Sequence, residues 1–140
     1  MTVVVDANIA VLWTLEAPLT PLAVRLLRTE EGLIAPDLIM PEATNAFARY
    51  VRQYPERRAR VMDGLEFLPR WFSELVPSAL LRSKALDLAL ELNHSVYDCF
   101  YLALALARDV QLVTTDAHFL RKSEKSPHAA SAIHLDDWHP

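Results

Sequence analysis

Residues 95–107, SVYDCFYLALALA, constrain the fold more than any other stretch, because they are almost wholly apolar and contain a single carboxylate. Their spacing suits a buried helix, and no glycine or proline interrupts it. An ionised carboxylate is costly to bury unless it is paired or binds a metal. Asp98 also lies in the predicted first turn, where the helix dipole favours a negative group. We therefore interpret Asp98 as a functional acid that other acids are expected to join.

The composition suits a globular protein. A chain of 140 residues that is 52% hydrophobic predicts one domain, residues 1–140, with a sizeable core. The net charge of −4 gives no overall basic signature for nucleic acid, although local patches matter more than the sum. The only cysteine, Cys99, excludes an internal disulfide, and we expect it to be a small buried hydrophobe rather than a nucleophile. Neither a secretory signal nor a membrane-spanning stretch is visible, which predicts a cytoplasmic protein.

Short apolar strand patterns alternate with helical patterns, and this alternation predicts a doubly wound α/β fold. The strand patterns lie at Thr2–Val5, 33–35, Glu74–Val76, 111–114 and 133–135. The helical patterns lie at 8–15, from 20 onwards, and at 36–54, 56–68, 79–92, 95–107 and 117–122. Ser78 is expected to cap the helix at 79–92, and Trp71 and Phe72 are expected in the core or at an interface. Asn93 and His94 indicate a helix stop, with His94 either structural or exposed and a catalytic base as the alternative.

Four acids stand out by position. Asp6 and Asp116 follow strands, Glu42 lies near the start of a helix that follows a strand, and Asp98 opens the buried helix. In a parallel sheet, strand C-termini and the following helix N-termini share one edge, where ligands bind. We therefore expect the four acids to converge, although helix capping explains Asp6 equally well.

Carboxylates brought together repel and raise one another's pKa, unless a divalent cation is bound among them. Hard oxygen ligands suit Mg²⁺ or Mn²⁺, and no cysteine or histidine spacing suggests zinc. Such a cluster is a known device for phosphodiester hydrolysis by metal-activated water. Nearby polar side chains can orient a ligand or bind phosphate, or can serve only as caps and structural bonds. These are Asn8, Asn45 and Thr115.

Arg49 shares a helix face with Glu42 and Asn45. Residues 49–60 contain five arginines and one acid, a local balance of +4. This patch is either a solvated helix face or part of a phosphate-binding wall.

Four segments, in this order, carry a resemblance to a known family. They are VVVDANIAVLW at 3–13, PEATNAFAR at 41–49, SVYDCFYLALA at 95–105 and LVTTDAHF at 112–119. The sequence resembles the PIN-domain ribonucleases, and most closely the VapC toxins of bacterial VapBC toxin–antitoxin pairs. The resemblance implies a PIN-like three-layer fold, with a central, mostly parallel sheet flanked by helices.

The resemblance also implies an activity. Asp6, Glu42, Asp98 and Asp116 would be the metal-binding acids of a Mg²⁺- or Mn²⁺-dependent endoribonuclease. A homodimer is implied, together with a small cognate antitoxin whose C-terminal segment wraps the toxin and reaches its active site. The sequence departs from the family at Asn8, where many relatives carry Ser or Thr. It departs again at residues 118–119, where some relatives carry a further acid, so we expect one tightly held ion and a second only with RNA bound.

Two other classes of function are alternatives. A haloacid-dehalogenase-like phosphatase also begins with an acid after a strand, but it needs a second acid where Asn8 stands and a late lysine, for which Lys122 is the near candidate. A non-catalytic PIN-like binding module would retain the acids for stability alone. Four acids at strand edges without basic partners argue against the module, because buried unpaired charge destabilises a fold.

Overall fold

Five short strands form one parallel sheet in the computed structural model, which describes residues 1–140. The strands are Thr2–Val5 (β1), Gly32–Pro36 (β2), Glu74–Val76 (β3), Leu112–Thr114 (β4) and Ala132–His134 (β5). Their order across the sheet is β3-β2-β1-β4-β5. In the central strand, Val3 pairs with Leu33 and Val5 with Val113. Consecutive valines of β1 are buried, as expected where helices cover both faces of a parallel sheet.

Seven α-helices surround the sheet. They are Ala7–Leu12 (α1), Thr20–Leu27 (α2), Ile39–Gln53 (α3), Arg58–Phe67 (α4), Arg82–Leu92 (α5), Val96–Arg108 (α6) and Ala117–Glu124 (α7). Helix α6 packs against β1, β2 and β4 and forms a hairpin with α5. Helix α1 packs against α2 and α3, and α3 packs against α4. The α/β class and the layered arrangement predicted from the sequence are confirmed.

The strand order creates a switch point between β1 and β4. The chain moves outward from β1 to β2 and β3, then crosses back to β4 and β5. Because crossovers of parallel strands are right-handed, α1 to α4 cover one face and α5 to α7 the other. The connections that leave β1 and β4 therefore diverge at the carboxyl edge, where α/β sheets bind ligands.

The buried apolar side chains form one continuous core that includes most of α6. Cys99, Leu102 and Ala105 are fully buried. Burial raises the pKa of the Cys99 thiol to about 11, so the thiol stays protonated and Cys99 is the small buried hydrophobe that we expected.

Four predicted helices are shorter than the sequence suggests. Those expected over 8–15 and 36–54 span only Ala7–Leu12 and Ile39–Gln53. The helix expected over 56–68 begins at Arg58, because the proline at position 55 opens a separate 3₁₀ turn, Pro55–Arg57. The helix expected from residue 79 begins at Arg82, after the 3₁₀ turn Ser78–Leu80. Ser78 does not cap that helix: its hydroxyl hydrogen-bonds Asp37 and accepts the Leu38 amide hydrogen.

Helix α4 packs closely on the end of the first helical segment through a glycine. A Cβ atom at Gly64 would lie 2.8 Å from the Cβ of Thr14, which is itself buried. Trp13 packs edge-on against Trp71 with ring centroids 5.1 Å apart, and Phe72 lies beside it. Phe72 is therefore part of the core and Trp71 packs partly buried against it, in agreement with the prediction of a core or interface position.

No helix has the length and apolar character required to span a lipid bilayer.

Candidate active site

Asp6 ends β1 at the switch point and is 6% exposed. Its Oδ1 accepts the Asn8 amide hydrogen at 3.5 Å, so Asp6 does cap α1. Its Oδ2 accepts a hydrogen bond from the Thr114 hydroxyl at 2.6 Å. Burial raises the pKa of Asp6 to about 6, the charges of Asp98 and Asp116 add to this rise, and the two hydrogen bonds oppose it. Asp6 therefore both caps α1 and lies near the other acids.

Asp116 lies just beyond β4 and caps α7. Its Oδ1 accepts the Phe119 amide hydrogen at 3.0 Å. The Asp116 amide in turn donates to the Thr114 hydroxyl at 3.1 Å. Thr114 thus links the ends of β1 and β4 and fixes the relative position of their acids.

Asp98 occupies the first turn of α6, with 26% of its side chain exposed. Its Oδ2 lies 2.6 Å from Nε2 of His94, one helical turn earlier in the chain. One ligand atom from each of His94, Asp98 and Asp116 lies within 4.8 Å of the other two. The His94 side chain is only 7% exposed, so the expectation of a structural residue holds and that of an exposed one is wrong.

Glu42 lies in the first turn of α3 and accepts a hydrogen bond at Oε1 from the Tyr101 hydroxyl, at 3.1 Å. Burial raises the pKa of Glu42 to about 7, and the charges of Asp6 and Asp98 add to this rise. The Tyr101 hydrogen bond opposes it. Burial and the neighbouring carboxylates also raise the pKa of Tyr101 well above its usual range, so its hydroxyl remains a proton donor.

The four acids come from separate segments and act on one another electrostatically. Asp6 is affected by Asp98 and Asp116, and Glu42 by Asp6 and Asp98. Ligand atoms of Asp98 and Asp116 lie within 4.8 Å of each other, whereas Asp6 and Glu42 stand outside that group and are linked to it through the effects of charge. The four acids are thus neighbours, and their convergence on a single ion stays a prediction. Their donor set consists of carboxylate oxygens whose charges oppose one another, and a hard divalent cation would relieve that repulsion. The residues present therefore fit a Mg²⁺ or Mn²⁺ site.

The weaker candidates lie around this cluster. Asn8, Asn45 and Arg49 are exposed, and Asn45 lines a cavity of about 300 Å³ beside Glu42. The side chain of Thr115 makes no hydrogen bond, whereas that of Thr114 bridges two acids. Contact of these four side chains with a ligand stays a prediction.

Part of the arginine patch is already engaged within the protein. The Arg57 guanidinium donates to the Tyr50 hydroxyl and lies over the Tyr54 ring. Arg60 pairs with Glu16 at 2.7 Å. The arginines left without a side-chain partner are Arg49, Arg52 and Arg58.

Sequence reasoning assigned no role in the site to Thr114 or Tyr101, which lie in the predicted strand 111–114 and helix 95–107. It considered His94 only as a structural or exposed residue or a catalytic base. Each acts through a hydrogen bond to an acid. For His94, the i, i+4 spacing to Asp98 was a usable signal. Nothing in the sequence marks Thr114 or Tyr101, because their partners are 108 and 59 residues away.

Known proteins share this fold. PAE2754 from Pyrobaculum aerophilum superposes with a TM-score of 0.70 at 20% identity, covering 97% of this chain and 85% of that one. VapBC2 from Rickettsia felis, solved bound to a DNA fragment from its promoter, superposes with a TM-score of 0.65 at 12% identity. That match covers 99% of this chain and 100% of the other. No curated protein sequence matches the chain.

The PIN domain family is recognised directly in the sequence, over residues 3–125. That span includes all four acids, the whole of β2, β3 and β4, and β1 except its first residue. With the parallel sheet and the acid cluster at its carboxyl edge, this match shows that the chain belongs to the PIN domain family.

Proposed function

We propose that the protein is a metal-dependent endoribonuclease, the toxin of a type II toxin–antitoxin pair. PIN domains are in general metal-dependent nucleases. The observation that carries the proposal is the proximity of four acids from distant segments, two of which, Asp6 and Glu42, have pKa values raised by burial and by neighbouring carboxylates. Maintaining such a cluster costs stability, as expected of a site retained for binding and chemistry.

Asp6, Glu42, Asp98 and Asp116 would hold Mg²⁺ or Mn²⁺. A divalent ion bound there supplies an activated water and neutralises charge that develops on the phosphate. Thr114 fixes Asp6 through Oδ2, and Tyr101 fixes Glu42 through Oε1. Oε2 of Glu42 accepts no hydrogen bond within the protein, whereas Oδ1 of Asp6 also accepts the Asn8 amide hydrogen.

The surroundings of Glu42 favour RNA with unpaired bases as the substrate. The cavity beside it is lined by apolar and polar side chains, namely Leu38, Pro41, Glu42, Asn45 and Tyr97. The side chain of Tyr97 is an exposed aromatic ring on which an unpaired base can stack, and the Asn45 amide can hydrogen-bond a base or phosphate. The free arginines of α3 and α4 would contact the phosphate backbone on either side.

The phosphatase alternative finds no support. Asn8, where that chemistry needs an acid, is exposed, and the Lys122 ammonium donates to the backbone carbonyl of Asn93. The family match further favours a nuclease.

For the partners, we propose a homodimer and a small antitoxin. An apolar groove between α3 and α4 is lined by Phe47, Val51, Val61 and Leu65, with arginines at its rim. A helical antitoxin segment with acidic residues beside its apolar face would suit this groove. Co-expression with the neighbouring open reading frame tests the pairing: growth arrest relieved by the neighbour supports it, and arrest that persists contradicts it.

The activity is tested with Asp98→Asn, which removes the charge with little change in shape. Asp109→Asn is a matched control, because Asp109 ends the same helix in a left-handed conformation that asparagine also tolerates. We expect the control to cleave RNA in Mg²⁺ or Mn²⁺ like the parent, and Asp98→Asn to lose cleavage with an unchanged circular dichroism spectrum. Cleavage by purified Asp98→Asn at the parent rate would overturn the proposal.

A further inference from the structure

His94 is the one basic side chain in direct contact with the acid cluster. It lies in the tight connection between α5 and α6, just after Asn93, whose φ of 48° ends α5 in a left-handed conformation. This reversal directs the imidazole back over the first turn of α6. There, Nε2 lies 2.6 Å from Oδ2 of Asp98.

The imidazole lies against helix α7. The Phe119 ring lies 5.1 Å from the His94 ring and the His118 ring 5.5 Å, measured between centroids. Phe119 is fully buried, and its amide donates to Asp116. The imidazole is therefore packed against the same helix end that positions Asp116.

We propose that His94 is a positioning residue for Asp98. Its Nε2–H donates to Oδ2 and fixes the carboxylate, so that Oδ1, which accepts no hydrogen bond within the protein, would be the oxygen available to an ion. This inference rests on the proposed metal-dependent function. A hydrogen-bonded partner behind a ligand carboxylate fixes its orientation before the ion arrives, and loss of such a partner typically weakens metal binding about tenfold to a hundredfold.

The geometry argues against His94 as a ligand itself. Two adjacent ligand atoms, each about 2.1 Å from one ion, lie about 3 Å apart. The observed separation of 2.6 Å is that of a short, charge-assisted hydrogen bond. The proton between the two atoms occupies the direction in which an ion would have to bind.

The test compares three variants by calorimetric titration of Mn²⁺ into metal-free protein. His94→Leu keeps an apolar contact with Phe119 but removes the donor, whereas His94→Gln can return an N–H near the position of Nε2. His118→Leu is the matched control, because His118 touches the same ring and makes no hydrogen bond to an acid. Thermal unfolding of each variant reports whether it is folded.

We expect His94→Leu to bind Mn²⁺ about tenfold to a hundredfold more weakly and to cleave RNA with a lower kcat and a similar KM. His94→Gln should recover most of the affinity, and His118→Leu should resemble the parent. Parent-like Mn²⁺ affinity in folded His94→Leu would overturn the proposal and leave His94 a packing role. Equal loss in His94→Leu and His94→Gln would also overturn it, in favour of direct ligation.

A second measurement needs neither metal nor activity. In ¹⁵N-labelled, metal-free parent protein, the neutral form of the His94 imidazole should carry its proton on Nε2. A proton on Nδ1 would overturn the proposal. If the parent binds Mn²⁺ but cleaves no RNA, the proposed function fails while the role of His94 towards the ion is still decided by these measurements.

Discussion

The Thr114 hydroxyl donates a 2.6 Å hydrogen bond to Oδ2 of Asp6 and joins two residues that are 108 positions apart in the chain. The same oxygen accepts the amide hydrogen of Asp116. One buried hydroxyl therefore fixes the acids that follow β1 and β4, on the two sides of the switch point.

Replacement of Thr114 by valine removes this link while preserving shape. Asp6 Oδ2 and the Asp116 amide would each lose a partner, which costs about 1–3 kcal/mol when a buried polar group is left unsatisfied. We expect Thr114→Val to lower the free energy of unfolding by that amount and to weaken Mn²⁺ binding, measured by urea denaturation and calorimetry. Thr114→Ser keeps the hydroxyl and should retain metal affinity; equal metal affinities of the two variants would contradict the role given to the hydroxyl.

The stability of the metal-free protein should fall as the solution becomes less acidic. The pKa values of Asp6 and Glu42 are raised from 3.8 and 4.5 to about 6 and about 7, so the folded state binds these protons more tightly than the unfolded state. The resulting stabilisation is fully present below the unfolded-state pKa values and is lost as pH rises through 6 and 7. Thermal unfolding at constant ionic strength measures this fall.

Other carboxylates make the opposite contribution in a different pH range. Glu16 and Glu74 have pKa values lowered mainly by hydrogen bonds from arginines, so their stabilisation is lost only under more acidic conditions. Saturating Mn²⁺ should abolish the loss of thermal stability that Asp6 and Glu42 cause near neutral pH. Asp6→Asn should make that loss smaller in the metal-free protein. A melting temperature that rises between about pH 5 and pH 7.5 without metal would contradict the raised pKa values.

Gly64 should not tolerate alanine, although alanine normally stabilises a helix by about 1 kcal/mol relative to glycine. The added Cβ would collide with the buried Thr14, so Gly64→Ala should lower the free energy of unfolding by about 1–3 kcal/mol. Glu66→Ala, an exposed change in the same helix, is the control and should have little effect. An unchanged denaturant midpoint for Gly64→Ala would show that α4 can move away from Thr14 without loss of stability.

The free arginines should determine how salt affects RNA binding. Arg52 and Arg58 have no internal partner, so changing either to glutamine should weaken binding to single-stranded RNA. The slope of the logarithm of the binding constant against the logarithm of the salt concentration should become shallower by about 1. Arg25→Gln, an exposed change on α2, should leave the slope unchanged. Fluorescence anisotropy across a salt series, with cleavage suppressed by Asp98→Asn, measures both quantities. A slope identical in all variants would assign the patch to a solvated surface or to another partner.

The sequence by itself determined the α/β class, the strand positions within a residue or two, and the location of the four acids at strand ends and helix starts. These features depend on local patterns: β-branched runs form strands, a polar residue ends each run, and parallel strands share an edge. The sequence placed the start of α4 and of α5 less well. Position 55 lies between the predicted helices 36–54 and 56–68, and Ser78 is predicted to cap a helix. Instead, Pro55 and Ser78 each open a 3₁₀ turn, and Asp37, the partner of Ser78, lies 41 residues away.

Only the tertiary structure decided how the acids are held. Thr114, Tyr101 and His94 look like ordinary core or turn residues in the sequence, and their importance depends on partners that folding brings within hydrogen-bonding distance. The raised pKa values of Asp6 and Glu42 likewise depend on burial and on charges from distant segments. Residue types and spacing select the acids, but the long-range contacts determine their orientation and their charge, because both depend on distances that a linear pattern does not contain.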